Sequence, residues 1–346
     1  MGKKPVYNTL MTLRLIPIED KKTWEKFLLE NSPSALFQSW LWGEVQKKSG
    51  QTVLRYGIFD GSSLVGIAQI FVVRAKRGTY LHVRHGPIWK QSSKTNWQQL
   101  LILLRPIAKK QKAWFIRVSP LIENSQDNRD LFVSLGMVRA PIHEVDAERC
   151  WVLDIDKPEE EILLGMRKTT RYEVRRGEKV GVSIEMTKDV KRLKEFYSLY
   201  AETSRRHGFV VHSSITEEFE AFANEDKALL FFGSHEKNAL AGAVILFYGG
   251  QAIYHHGASI TSKIPASSVV QWKSILEAKK RGIKLYNFYG IAPDDKPNHP
   301  WRGITLFKKG FGGREINSIH AHDLPISPLY MVPKTIEAIR TKMRGY

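Results

Sequence analysis

The side chains best placed for chemistry lie between Leu285 and Gly313, in LYNFYGIAPDDKPNHPWRGITLFKKGFGG. Lys284 to Tyr289 alternate and are rich in β-formers, and Gly290 breaks the run. A loop with Asp294, Asp295, Pro297, His299 and Pro300 follows. Gly303 to Phe311 then resumes a helical spacing, which predicts a buried face of Ile304, Phe307 and Phe311. Lys308 and Lys309 stand beside that face, just past the carboxyl end of a strand, where open α/β sheets bind ligands. No Ser-His-Asp or Cys-His arrangement stands out. Cys150, between Arg149 and the apolar run Trp151-Val152-Leu153, reads as a buried strand residue. His320, His322 and Asp323 lack a further spaced ligand cluster and read as a surface loop, so no metal is assigned.

Two halves of the chain lead to such a strand by the same route. In the first, a helix from Ser39 to Lys48 ends at Gly50, and strands Thr52 to Phe59 and Leu64 to Val73 join at Asp60-Gly61. Strand Thr79 to Arg84, a helix Asn96 to Lys110 that Pro106 should kink or shorten, and strand Ala113 to Val118 complete it. In the second, a helix runs from the Asp189 cap to Arg206 with Gly208 as its stop. Strands Ala228 to Phe232, Ala239 to Tyr248 and Gln251 to His256, helix Ser267 to Arg281 and strand Lys284 to Tyr289 follow.

The echo extends to Leu131-Phe132 with Gly136-Met137, answered by Leu306-Phe307 with Gly310-Phe311. Two copies of one α/β unit are the simplest reading. The order is similar to that of the GCN5-related N-acetyltransferase fold. The expected class is therefore α/β (α+β), with two tandem domains of this kind, residues 1–155 and 156–346, each a mixed sheet flanked by helices. After the shared phenylalanine the first copy has Val133 and the second Lys308, so the fold does not demand a lysine there.

Between the halves, residues 156–180 read as one linking helix, with Pro158 and three glutamates at its start. Lys168, Arg171, Arg175 and Lys179 recur at three and four residues as a basic stripe. A second basic helix is expected near the C-terminus, where Met331, Ile336 and Ile339 accompany Lys334, Arg340, Lys342 and Arg344. It is expected to pack on the second domain or, alternatively, to touch anionic membrane. The chain carries 53 Lys and Arg against 35 Asp and Glu, a net charge of +18 that predicts polyanion partners. One cysteine excludes a disulfide framework, and no apolar run approaches a membrane span. A cytoplasmic location, at most peripheral to the inner face of the membrane, is expected.

FQSWLWGEVQK (Phe37 to Lys47), RHGPIW (Arg84 to Trp89), FIRVSP (Phe115 to Pro120), RKTTRYEVRRGEKVGV (Arg167 to Val182), FYSLYAETSRRHGF (Phe196 to Phe209), YHHGAS (Tyr254 to Ser259) and YNFYGI with FKKGFGG run through nearly the whole chain. Together they resemble the Fem family of aminoacyl-tRNA-dependent peptidyltransferases, which build peptidoglycan interpeptide bridges on twin acetyltransferase-like domains. The chain departs at Ser119, where the family commonly has an acidic residue, and at His85, which interrupts an RGP loop. No long heptad pattern is present, so the resemblance is to the armless kind.

The resemblance implies transfer of an amino acid such as Gly, Ala or Ser from aminoacyl-tRNA to the stem-peptide amine of a nucleotide- or lipid-linked precursor, with no cofactor. Lys308 matches the family's lysine and would stabilise the oxyanion of aminolysis. Lys47 and Arg206 match basic positions of its substrate-facing segments, Tyr254 and Phe307 would help line the substrate, and the basic stripe would meet tRNA. One alternative is an acyl-CoA N-acyltransferase of the same fold, although HHGASITSKIPASS and HGPIWKQSSKTN do not fit its pyrophosphate loop. The other is a non-enzymatic RNA-binding protein.

Overall fold

A computed structural model describes residues 12–143, 146, 148–207, 212 and 214–343. Gly208 and Phe209, the N-terminal MGKKPVYNTL and Arg344 to Tyr346 lie outside the described residues. In chain order the strands are β1 (Leu13–Pro17), β2 (Thr52–Asp60), β3 (Ser63–Ala75), β4 (Gly78–Arg84), β5 (Ile88–Trp89), β6 (Phe115–Ser119), β7 (Val138–Arg139) and β8 (Arg149–Asp154). They continue with β9 (Ser183–Thr187), β10 (Ala228–His235), β11 (Asn238–Tyr248), β12 (Gln251–Ser259), β13 (Leu285–Gly290), β14 (Arg314–Asn317) and β15 (His322–Pro325).

These strands build two sheets, ordered β1-β2-β3-β4-β6-β15-β7, with β5 on β3, and β14-β8-β13-β12-β11-β10-β9. Each holds one parallel pair, β4 with β6 and β12 with β13, beside an antiparallel meander. The duplication expected from sequence is therefore a repeat of topology.

The boundary expected at residue 155 is crossed twice. β8 precedes it yet pairs with β13 and β14 of the second sheet, while β15 pairs with β6 and β7 of the first. Left alone, the far edges of β6 and β13 would present unpaired amides, and each is closed by a strand from the other half. The C-terminal helix Met331–Met343 follows β15 and packs on the first domain, not the second as expected. Its Glu337 meets Arg117 at 2.8 Å, and its Thr341 hydroxyl donates to the Pro141 carbonyl at 3.2 Å.

Other elements sharpen the sequence reading. Helix Lys94–Lys110 runs through Pro106 without shortening. The carbonyl that Pro106 leaves without a donor belongs to Ile102, which is half exposed, so water can satisfy it. Residues 156–180 form two helices, Glu159–Gly165 and Lys168–Lys179, with Met166 and Arg167 extended between them. Arg167 N–H donates to the Gly310 carbonyl at 2.9 Å, which takes it out of the helical ladder. The longest helix among the described residues has 17 residues, so no helical arm projects from them.

One apolar core runs through both halves, joining Trp24, Phe37 and Trp42 to Phe196, Phe219, Phe222 and Leu230. At the seam the β11–β12 turn passes close to the first half: a Cβ on Gly249, at φ +58°, would lie 1.7 Å from the Pro33 carbonyl oxygen. Only glycine fits that turn.

Candidate active site

Lys308 sits on helix Arg302–Lys309 and is buried, 6% exposed. The helix buries Thr305 and Lys308, whereas Ile304 and Leu306 face solvent, so the apolar face expected from sequence holds only from Phe307 onward. Polar backbone decides this. Thr305 Oγ1 accepts the Ala292 N–H at 2.8 Å, and Lys308 Nζ donates to the Gly290 carbonyl at 2.5 Å. Both contacts hold the chain where β13 ends and Tyr289 takes a left-handed φ of +67°. Such backbone is costly for a tyrosine and concentrates at functional sites.

Burial lowers the Lys308 ammonium from 10.5 to about 8. No described carboxylate pairs with it. Its neighbour differs in kind: Lys309 is bridged to Asp294 at 2.7 Å and lies over the Trp151 ring at 5.1 Å. The arrangement therefore presents one desolvated, unneutralised cation at the carboxyl end of a parallel strand, suited to a developing oxyanion.

Helix Lys168–Lys179 docks beside this lysine, with Thr170, Val174 and Gly177 inward. Lys168, Arg175 and Lys179 are exposed, while Arg171 is partly committed: its guanidinium donates to the Leu163 and Leu164 carbonyls at 3.2 and 3.0 Å, capping the preceding helix. A groove of about 230 Å³ opens nearby, lined by Glu173, Arg176, Lys263, Pro265, Ser268 and Phe307 among others. It meets the start of helix Ala266–Lys280, where amides would attract a phosphate. Glu173 already occupies that end, accepting from Ser268 Oγ at 2.8 Å. A pyrophosphate there would meet a carboxylate.

Facing the second sheet, the ends of β4 and β6 carry a buried polar cluster. Asp146 accepts from Arg84 Nε at 2.7 Å and from the Ser119 hydroxyl, and lies 3.1 Å from His82 Nε2. Burial alone would raise the Asp146 carboxyl, but Arg84 and His82 hold it well below its usual range. Asp146, three residues before β8, thus places a buried carboxylate against Ser119. His85, the other departure, takes φ +53° and bonds the Asp146 carbonyl through Nε2 at 2.8 Å.

Aromatic contacts continue from here into the second domain. Arg84 lies over Phe37 at 3.7 Å and over Trp42 at 5.8 Å, Trp42 meets His255 edge-on at 5.9 Å, and His255 meets Tyr289 at 5.8 Å. Glu218 Oε2 lies 2.8 Å from His255 Nε2 and 3.4 Å from His256 Nε2, and Ser214 Oγ donates to its other oxygen at 2.6 Å. Neighbouring strand residues ordinarily point to opposite faces. Here Val244 pairs with His256 and Ile245 with Tyr254, so His255 is the extra residue of a β-bulge and both imidazoles reach one carboxylate. Donor atoms of Glu218, His255 and His256 all lie within 4.8 Å of one another, the one set among the described residues able to hold a metal ion. Sequence reading missed this group and Asp146, because neither carries a local signal beyond the His-His pair.

The remaining expected residues are more dispersed. Lys47 is exposed on helix Trp40–Lys48 and pairs with Glu44 at 3.1 Å. Arg206, exposed near the end of helix Leu193–His207, donates to the Ser259 carbonyl at 3.1 Å and to Thr261 Oγ1 at 3.1 Å. Tyr254 and Phe307 both pack against the core of the second domain, and burial raises the Tyr254 hydroxyl to about 12. His320, His322 and Asp323 are no surface loop: all three are buried, His322 and Asp323 on β15, where Asp323 takes Arg117 in a two-point bond at 2.7 and 2.8 Å.

Known proteins share this design. A curated lipid II:glycine glycyltransferase of Staphylococcus aureus (strain MRSA252) is 21% identical over 401 aligned residues, covering 92% of this chain and 95% of its own. Among solved structures, FemX superposes with a TM-score of 0.79 at 20% identity, over 92% of this chain and 99% of its own. A tandem GNAT protein from the clavulanic acid biosynthesis pathway superposes at 0.59 with 10% identity, over 91% and 99%. The likeness of these structures is one of fold, two tandem mixed sheets flanked by helices. The FemAB family model matches residues 20–134, 143–225 and 212–338, most of the described sequence, and the chain belongs to the FemAB family.

Proposed function

We propose that this protein is a non-ribosomal aminoacyltransferase that moves an amino acid from aminoacyl-tRNA to the stem-peptide amine of a lipid-linked peptidoglycan precursor. One observation carries the reading: in a FemAB chain, the lysine after Phe307 is desolvated, unpaired with any described carboxylate and fixed at the end of β13. Relatives named as lipid II:glycine glycyltransferases favour a lipid-linked acceptor and glycine.

In the proposed reaction the stem-peptide amine attacks the ester carbonyl of the charged tRNA. A C–N bond forms, the C–O bond to the ribose breaks, and the amine's proton leaves with the ribose oxygen. Lys308 faces the carbonyl oxygen as it becomes negative, so its charge acts most strongly in the transition state. The groove at Phe307, Arg176 and Lys263 takes the aminoacyl end, and Lys168, Arg175 and Lys179 meet the tRNA backbone. Lys47 and Arg206 bind acceptor phosphates, and Tyr254 supports the wall that Phe307 contributes. Glu173 at the start of helix Ala266–Lys280 argues against an acyl-CoA donor.

The test is a transfer assay with charged tRNA pools and either lipid-linked or nucleotide-linked precursor, read by mass spectrometry of the muropeptide. Formation of an aminoacylated lipid-linked product is expected. Efficient turnover with an acyl-CoA alone would overturn the reading.

A further inference from the structure

Helix Met331–Met343 inverts the usual arrangement of a surface helix. Its inward face is held by polar contacts: Glu337 to Arg117 at 2.8 Å, and Thr341 to the Pro141 carbonyl at 3.2 Å, beside the buried Tyr330 that bonds Asp323 at 3.1 Å. Its outward face is apolar. Val332, Ile336, Ile339 and Met343 are 44%, 38%, 53% and 80% exposed. At about 100° per residue these four fall within an arc of about 60°, a stripe about 16 Å long. Leu329, in the turn before the helix, is exposed as well. A surface helix ordinarily turns such a stripe inward, so an outward one marks an interaction surface.

The flanks identify the occupant. On the same wheel Arg340 and Lys342 lie roughly 70–90° to either side of the stripe, both exposed. Apolar residues bracketed by cations on long aliphatic stems suit an anionic bilayer, into which the stripe sinks while the cations remain among the headgroups. A second copy of the chain fits poorly, because pairing two such faces would bring four cations together. No helix among the described residues is long and apolar enough to cross a membrane, so the contact is with its surface.

We propose that helix Met331–Met343 is a docking surface that holds the protein on an anionic membrane through Val332, Ile336, Ile339 and Met343, with Arg340 and Lys342 as electrostatic flanks. Docking is independent of the reaction proposed above, although it would bring the site to an acceptor embedded in lipid.

Sedimentation with phosphatidylcholine vesicles, with and without phosphatidylglycerol, tests it. The full chain should bind only the anionic vesicles, and less as salt rises, since cations near the surface act within a Debye length. Ile336→Ser with Ile339→Ser, and separately Arg340→Gln with Lys342→Gln, should each lower the partition constant at least tenfold, on the order expected for two such side chains. Lys109→Gln with Lys110→Gln, on another exposed helix end, should leave it within about twofold. The altered side chains are exposed, and an unchanged circular dichroism melt would verify folding. A wild-type chain that stays in the supernatant, binds neutral vesicles equally, or binds as well with the stripe polar overturns the proposal. So does a concentration-dependent dimer that Ile339→Ser abolishes. Vesicle binding needs no tRNA or precursor, so a failed transfer assay and a failed docking assay are separable.

Discussion

Replacing Lys308 by methionine should make the protein more stable and less active. Burial lowers its ammonium from 10.5 to about 8. At about 1.4 kcal/mol for each pH unit, keeping it charged at pH 7 costs the native state up to about 3 kcal/mol. Methionine removes that cost but leaves the Gly290 carbonyl without a donor, a loss of about 1–2 kcal/mol. A net gain of about 1–2 kcal/mol near pH 7 follows. The sign reverses with alkali, because the folded chain releases this proton near pH 8 while the unfolded chain keeps it to about 10.5. Wild-type stability should therefore rise across that window relative to the variant, erasing the variant's advantage. Turnover should fall about a hundredfold or more with little change in substrate affinity, the scale of one lost oxyanion donor. Lys309→Met loses a bridge to an exposed Asp294, worth about 0–1 kcal/mol, and the cation's contact with the Trp151 ring, worth about 0.5–1 kcal/mol, and should keep near-normal turnover. Urea titrations at pH 7 and pH 10, with single-turnover transfer rates, measure both. Near-normal turnover in Lys308→Met, or a stability difference that ignores pH, would refute the reasoning.

Charge reversal of Lys168, Arg175 and Lys179 to Glu should weaken tRNA binding and make its logarithmic salt dependence shallower by up to about 2–3, as filter binding would reveal; an unchanged slope counts against the stripe. Arg171 is best spared, since it caps the helix before it. Asp323→Ala should destabilise by about 3–5 kcal/mol by depriving the buried Arg117 of its two-point partner, and a melting temperature within about a degree of wild type would contradict this. Burial, with His255 beside it, lowers His256 from 6.5 to about 4. The unfolded chain therefore takes up this proton first, and wild-type stability should fall as pH drops from about 6.5 to 4. His256→Asn should flatten that part of a thermal-melt profile, and an unaltered acid slope would exclude the histidine as its source.

Much of this was legible in the chain. Both meanders and the parallel strand after each follow from apolar runs rich in β-formers and their turn residues, and Lys308 stood out because its counterpart in the other copy is Val133. What escaped depends on partners distant in sequence. β8 and β15 are short and pair across the halves, so no local pattern announces their sheet. The burial of Thr305 and Lys308 in place of Ile304 answers to backbone atoms of Gly290 and Ala292, which hydropathy does not register. Asp146 reaches Ser119 and Arg84 from a loop, and His255 owes its direction to a bulge. Helix Arg302–Lys309 thus trades an apolar expectation for satisfaction of buried polar groups.

The crossed strands also bear on how the chain emerges from a ribosome. β6 ends at Ser119, but its neighbour β15 begins at His322, and Arg117 finds its carboxylates only at Asp323 and Glu337. Through most of synthesis the first half exposes an unpaired β6 edge and an uncompensated arginine. It can collapse around its own apolar core but cannot close. Translation pauses before residue 323 should therefore leave a species open to chaperones and proteases, and emergence of β15 with helix Met331–Met343 should act as the latch of the first sheet.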